Sequence, residues 1–158
     1  MARKLILALC FWVFACAPST ALTPAPTSPT DLELESAIKQ ARDSLSTFIT
    51  KISTPHSDRT FVALKVRFYP PDASPQDVWV DEMTYNSGGF RGTMGDDIPS
   101  LKLEAGEKIT IDEEDIVDWM IVDNGELVGG YTIRLAVQRM SSEERERFLE
   151  TLDYSIED

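Results

Sequence analysis

Between residues 52 and 62 the hydrophobic period of the chain changes, and that change constrains the fold more than any other feature. Leu34, Ile38, Ala41, Leu45, Phe48 or Ile49, and Ile52 recur at steps of three and four, the spacing of one helix face. Glu33, Glu35, Lys39, Gln40, Arg42 and Asp43 fall on the other side. Val62, Leu64, Val66 and Phe68 then alternate with Ala63, Lys65 and Arg67, the period of a half-buried strand. The first pattern predicts a helix from 31 to 52, ending before Pro55, with Thr30 and Glu33 at capping-box spacing. A helix with one apolar stripe followed by strands with one apolar face predicts an α+β domain.

The later strands are marked by their turns. Thr60–Tyr69 is stopped by Pro70-Pro71-Asp72. Asp77–Asn86 is β-rich, Gly88-Gly89 turns into Phe90–Met94, Ile98-Pro99 is an extended pair, and Gly106–Ile111 is a further short strand. Asn124-Gly125 has type I′ turn composition and predicts a hairpin between Trp119–Val122 and Leu127–Val137. A two-residue loop there sets Asp123 opposite Glu126, Val122 opposite Leu127, Met120 opposite Gly129 and Trp119 opposite Gly130, so that Trp119 lies over bare glycine backbone. Ser141 and Glu144 have capping-box spacing and start a final helix in which Phe148, Leu149 and Leu152 can dock. The expectation is an N-terminal helix, an antiparallel sheet of about five strands and a C-terminal helix.

Ahead of this domain, Met1–Ala21 reads as a signal peptide. Arg3 and Lys4 precede the apolar run Leu5–Ala15, and Ser19-Thr20-Ala21 offers small residues before a cut. Val13-Phe14-Ala15-Cys16 also resembles a lipoprotein signal, in which Cys16 would carry lipid; Phe14 stands where a small residue is usual. Residues 22–30 form a Pro/Ser/Thr linker of polyproline II character, and 31–158 form one domain. The expected location is the periplasm or the medium, or the envelope surface through Cys16. Neither cut leaves two cysteines, so no internal disulfide is expected, and no transmembrane span remains once the signal is removed.

Charge narrows the function classes. The chain has 27 acidic and 15 basic side chains and a formal net charge of −12, which opposes nucleic-acid binding. Its hydrophobic content of 42% opposes a wholly disordered chain. One histidine, His56, leaves no multi-histidine metal site. His56 sits in a loop-like stretch beside Ser57 and Asp58, which resemble a triad in letters only.

Asp118-Trp119-Met120 followed by Gly129-Gly130-Tyr131-Thr132-Ile133-Arg134 resembles the hallmark of the bacterial YegJ-like family, domain of unknown function 2314. Phe61–Val66, Trp79-Val80, Gly92 through Pro99, Ala41-Arg42 and Phe48 also agree with it, so the resemblance spans about 34–137. Gln76-Asp77 and Asp96-Asp97-Ile98-Pro99 depart from the acidic residue, histidine and asparagine that the resemblance leads one to expect. It implies a fold and a bacterial origin, and no mechanism.

Two clusters stand out as sites. Asp112, Glu113, Asp115 and Asp118, with Glu114, form the densest acidic group; calcium is conceivable there, but the spacing is not that of an EF-hand, and an acidic start to a short helix is the preferred explanation. Trp119 and Tyr131 read first as core or sheet-face packing; the functional reading makes Asp118, Trp119, Tyr131 and Arg134 the candidate binding surface, aromatics and arginine being common at binding hot spots. No catalytic set and no cofactor is assigned. The leading reading is a non-enzymatic, exported binding module of the envelope with a protein partner. A carboxylate-based enzyme, perhaps using a divalent cation, and a structural lipoprotein are the alternatives.

Overall fold

The computed structural model describes residues 29–71 and 73–157. Two helices, α1 (Pro29–Asp43) and α2 (Leu45–Ser53), lead into β1 (Arg59–Phe68), β2 (Gln76–Asn86), β3 (Gly89–Met94), β4 (Lys108–Ile111), β5 (Ile116–Asp123) and β6 (Glu126–Gly129); α3 (Tyr131–Arg139) and α4 (Ser142–Glu150) follow. The six strands form one antiparallel sheet in the order β4-β3-β2-β1-β5-β6. The expected α+β class holds, with six strands rather than about five. The signal peptide, Cys16 and most of the linker lie outside the described residues.

The two periods dictate two layers. Leu64, Val66, Val78, Val80, Phe90 and Met94 point to one sheet face and meet Ala41, Leu45 and Phe48 from α1 and α2. The tilted ring of Phe48 lies 6.1 Å from Phe90 and 5.5 Å from Trp119. On the second face a smaller cluster of Ala63, Met120, Val122 and Leu127 packs under Trp79, Ile133, Tyr154 and Ile156. Residues 154–156 also close the β6 edge, through Leu127 N–H to Ser155 O at 2.9 Å and Ser155 N–H to Gly125 O at 2.8 Å.

The single helix expected over 31–52 is two helices broken at Ser44 (φ −98°, ψ 7°). The Ser44 hydroxyl donates back to Gln40 O at 2.8 Å, a bond that competes with the helix ladder. It also accepts the Trp119 indole N–H at 3.0 Å. Glu33 meets Arg139 of α3 at 2.7 Å.

The strand expected over 127–137 is the second correction. Only Glu126–Gly129 is strand, and Tyr131–Arg139 is helix. Gly129 and Gly130 take φ of +76° and +65°, which ends the extended path. The hairpin itself has the expected register: Asp123 faces Glu126, Val122 faces Leu127 and Met120 faces Gly129. Gly130 N–H donates to Trp119 O at 2.7 Å. A Cβ built at Gly129 would lie 2.5 Å from the Trp119 ring, so the indole covers this glycine. The α4 start carries the expected capping box between Ser141 and Glu144; Phe148 and Leu152 are half-buried and Leu149 is exposed.

Candidate functional site

The structure brings Asp118, Trp119, Tyr131 and Arg134 together as an interior joint. Asp118 is fully buried and Trp119 is 2% exposed. Asp118 Oδ1 accepts from Trp119 N–H at 2.8 Å and Tyr131 N–H at 3.1 Å; Oδ2 accepts from Thr132 N–H and the Thr132 hydroxyl, both at 2.7 Å. Tyr131 and Thr132 open α3, so a carboxylate from β5 satisfies orphan N–H groups at a helix start, where negative charge is favoured. Burial pushes the Asp118 carboxyl above its ordinary range, and the four hydrogen bonds pull against that rise. Lys65, opposite Asp118 in the β1–β5 register, donates to the Thr132 hydroxyl at 3.3 Å. A cation is thereby linked to the buried carboxylate through one hydroxyl, and Lys65 Nζ also lies 5.3 Å from the centre of the Trp79 ring.

Trp119 and Arg134 complete the joint. The indole N–H is shared between Ala41 O at 3.1 Å and Ser44 Oγ at 3.0 Å, and Tyr131 meets the indole edge-on at 6.0 Å. Arg134 donates to Gly129 O at 2.9 Å, Leu127 O at 2.7 Å and Glu157 O. Asp118 ties the start of α3 to β5, Trp119 ties β5 to the α1–α2 break, and Arg134 ties α3 and the C-terminal segment to the hairpin.

The acidic cluster does not converge. Glu113–Asp115 is one turn of 3-10 helix. Asp118 spends its oxygens on α3, and Arg42 donates to the carbonyls of Glu114 and Ile116, both at 2.8 Å. Among the described residues no group of three or more His, Cys, Asp or Glu is placed to hold a metal ion.

The most open feature of the sheet lies elsewhere. β1 pairs with β2 only from Leu64 to Phe68, because β2 carries a bulge between Asp81 and Thr84 and turns toward β3. Arg59, Phe61, Val62 and Ala63 pair with β5 alone. The gap is a cleft of about 550 Å³ lined by Pro55, His56, Arg59, Phe61, Asp81 and Met83, among others. His56 is exposed, as a loop histidine should be, but its partner is neither Ser57 nor Asp58. Its Nδ1 lies 3.0 Å from Asp123 Oδ1, while Lys51 Nζ lies 3.5 Å from Oδ2. A carboxylate on Nδ1 orients the ring and leaves Nε2 as the free nitrogen. Arg59 donates to Thr54 O at 3.2 Å, and its Nε is a buried donor with no partner.

The model of a family described as "Uncharacterized protein conserved in bacteria (DUF2314)" matches residues 31–154. The chain belongs to this family. Uncharacterized protein YegJ of Escherichia coli (strain K12) is 30% identical over 102 residues, covering 63% of this chain and 64% of the relative. A putative ankyrin repeat protein of Neisseria meningitidis serogroup B is 30% identical over 89 residues, covering 54% of this chain and 35% of the relative. The chain thus spans less than two thirds of either curated relative. No solved structure matches it.

The residues of the Asp118-Trp119 and Gly129–Arg134 pieces share one structural task here, joining α3 to the hairpin. Asp118 and Thr132 cap α3, Trp119 covers Gly129, and Arg134 binds the carbonyls around the glycine turn. Sequence reasoning missed the cleft. Its His56–Asp123 pair joins positions far apart in the chain, and the one local signal for Asp123 was its place beside the Asn124-Gly125 turn.

Proposed function

We propose that this DUF2314 domain is an exported, non-enzymatic binding module that takes an extended peptide segment into the cleft between β1 and β2. The observation that carries this reading is the unpaired edge of β1. From Arg59 to Ala63 the strand has β5 on one side and the cleft on the other. An exposed strand edge is a template for a further strand, whose backbone supplies the affinity and whose alternate side chains supply specificity. Phe61, 39% exposed, offers an apolar anchor at that edge. The leader-like residues 1–21 motivate export; lipid on Cys16 is the tethered variant of this reading, read out by incorporation of labelled fatty acid that Cys16→Ala abolishes. The match within a longer ankyrin-named relative is in keeping with a module used beside other domains.

The test is cross-linking of the full chain in its own cells, purification, and identification of what is captured. One dominant partner, lost in Phe61→Glu and kept in Lys102→Ala, supports the proposal. Capture unchanged in Phe61→Glu, or no partner above background, refutes it. A second reading rests on the oriented His56–Asp123 pair: a cleft carrying an acid–base group. Turnover of an ester or phosphate substrate that His56→Ala abolishes would favour it.

A further inference from the structure

The bulge in β2 also shapes the opposite side of the sheet. Glu82 and Met83 stand against the single residue Gly92, and Glu82 takes φ 48°. A Cβ at Gly92 would come within 2.6 Å of the Met83 sulfur and 2.7 Å of Asp81 O, so the bulge presses onto bare backbone. Met83 turns to the main core. The second face over β2–β4 is left with a recess of about 440 Å³, lined by Glu82, Thr84, Arg91, Thr93, Lys108 and Thr110.

Arg91 faces Thr110 and Thr93 faces Lys108 in the β3–β4 register. Arg91 and Lys108 are therefore diagonal neighbours on one face, roughly 7–8 Å apart, a spacing that two long side chains close around one oxyanion. Every other described Lys or Arg has a side-chain hydrogen bond, ion pair or ring contact; the side chains of Arg91, Lys108 and Lys102 have none. In a chain of net charge −12 two adjacent cations without anions are conspicuous, since like charges on neighbouring positions repel. Glu82, the carboxylate in the lining of the recess, accepts the Thr93 hydroxyl at 2.7 Å. The Thr84 hydroxyl donates to Arg91 O at 3.5 Å and can still accept, while the Thr110 hydroxyl can donate or accept.

We infer that this recess binds a hydroxylated small molecule bearing one phosphate or carboxylate group. The anionic group sits between the guanidinium of Arg91 and the ammonium of Lys108, the Arg fork supplying paired donors. The ligand hydroxyls meet Thr84, Thr110 and the remaining acceptor sites of Glu82. Glu82 lines both this recess and the peptide cleft, whereas Arg91, Lys108 and Thr110 line the recess and not the cleft, so variants at Arg91 and at Phe61 test the two sites apart.

The experiment is a titration of the full chain followed by amide chemical shifts. The probes are inorganic phosphate, glycerol phosphate, glucuronate and glycerol, each at ionic strength fixed with sodium chloride. The expected result is saturable shifts at Arg91, Thr93, Lys108 and Thr110 with glycerol phosphate or glucuronate, and the tighter of the two identifies the anion. Arg91→Ala should weaken binding about tenfold or more, as loss of a charge-assisted pair does, and Lys102→Ala should leave it unchanged. Shifts that stay linear, that chloride alone reproduces, or that survive Arg91→Ala overturn the site. Inorganic phosphate binding as tightly as glycerol phosphate overturns the hydroxyl contacts, and glycerol binding alone overturns the role of the anion.

Discussion

Replacing Asp118 should damage stability in a way that depends on which oxygen is kept. The carboxylate accepts three backbone N–H groups and one hydroxyl at 2.7 to 3.1 Å in a fully buried setting. Asp118→Ala orphans all of them, and each buried donor without a partner costs about 1–3 kcal/mol. Partial rehydration moderates the sum, so a loss of about 3–5 kcal/mol is expected, as for removal of one partner from a buried charged pair. That is a large share of a domain stability of about 5–15 kcal/mol. Asp118→Asn keeps Oδ1 for Trp119 and Tyr131 but sets an NH₂ against Thr132 N–H. The Thr132 hydroxyl can reverse and accept; the backbone N–H cannot. One orphan donor remains, and the loss should be about 1–3 kcal/mol. The pH dependence has a definite sign. The folded-state pKa of Asp118 is raised from the ordinary 3.8 by burial. The ionised group therefore carries a penalty above that raised pKa, relieved as pH falls and the folded protein takes up the proton first. The stability gap between the natural protein and Asp118→Asn should thus widen as pH drops from 7 toward 4. Urea unfolding followed by tryptophan fluorescence measures it. An Asn variant as stable as the natural protein at pH 7, or a gap that narrows on acidification, would refute the argument.

Gly129→Ala should lose about 2–4 kcal/mol, because the methyl would meet the Trp119 ring and carbonyl at 2.5 Å and φ is +76°; Gly125→Ala, at φ +76° but in open space, should lose only about 1 kcal/mol, and thermal melts of the pair separate crowding from backbone strain. Trp119→Phe removes the indole N–H shared by Ala41 and Ser44 and should lose about 1–3 kcal/mol, seen as a lower urea midpoint with α3 intact by circular dichroism. Ser141→Ala breaks the α4 capping box and should lose about 1 kcal/mol, with hydrogen exchange rising in α4 before any other helix.

The parts of the fold that sequence reading reached are those whose cause is local. The Asn124-Gly125 turn sets its own hairpin register, and Ser141 with Glu144 starts α4 without help from elsewhere. The parts it missed are decided at a distance. Ser44 interrupts the first helix where the indole of Trp119, 75 residues away, reaches its hydroxyl. Tyr131–Arg139 alternates like a strand and is rich in β-branched and aromatic residues, yet it is helical because Asp118, 13 and 14 residues earlier, supplies acceptors for its first N–H groups. For the same reason the candidate surface at Asp118, Trp119, Tyr131 and Arg134 was legible as a set, while its burial was not. The cleft depends on a bulge in β2 and on the pairing of His56 with Asp123, neither of which leaves a periodic trace.

Hydrogen exchange of the β1 amides, measured with and without the partner captured in cells, tests the binding account most directly. Strand addition predicts that amides between Thr60 and Ala63 that face the cleft slow markedly on binding, while those already bonded to β5 change little. Unchanged exchange across Thr60–Ala63 in a complex that demonstrably forms would place the partner elsewhere and contradict it.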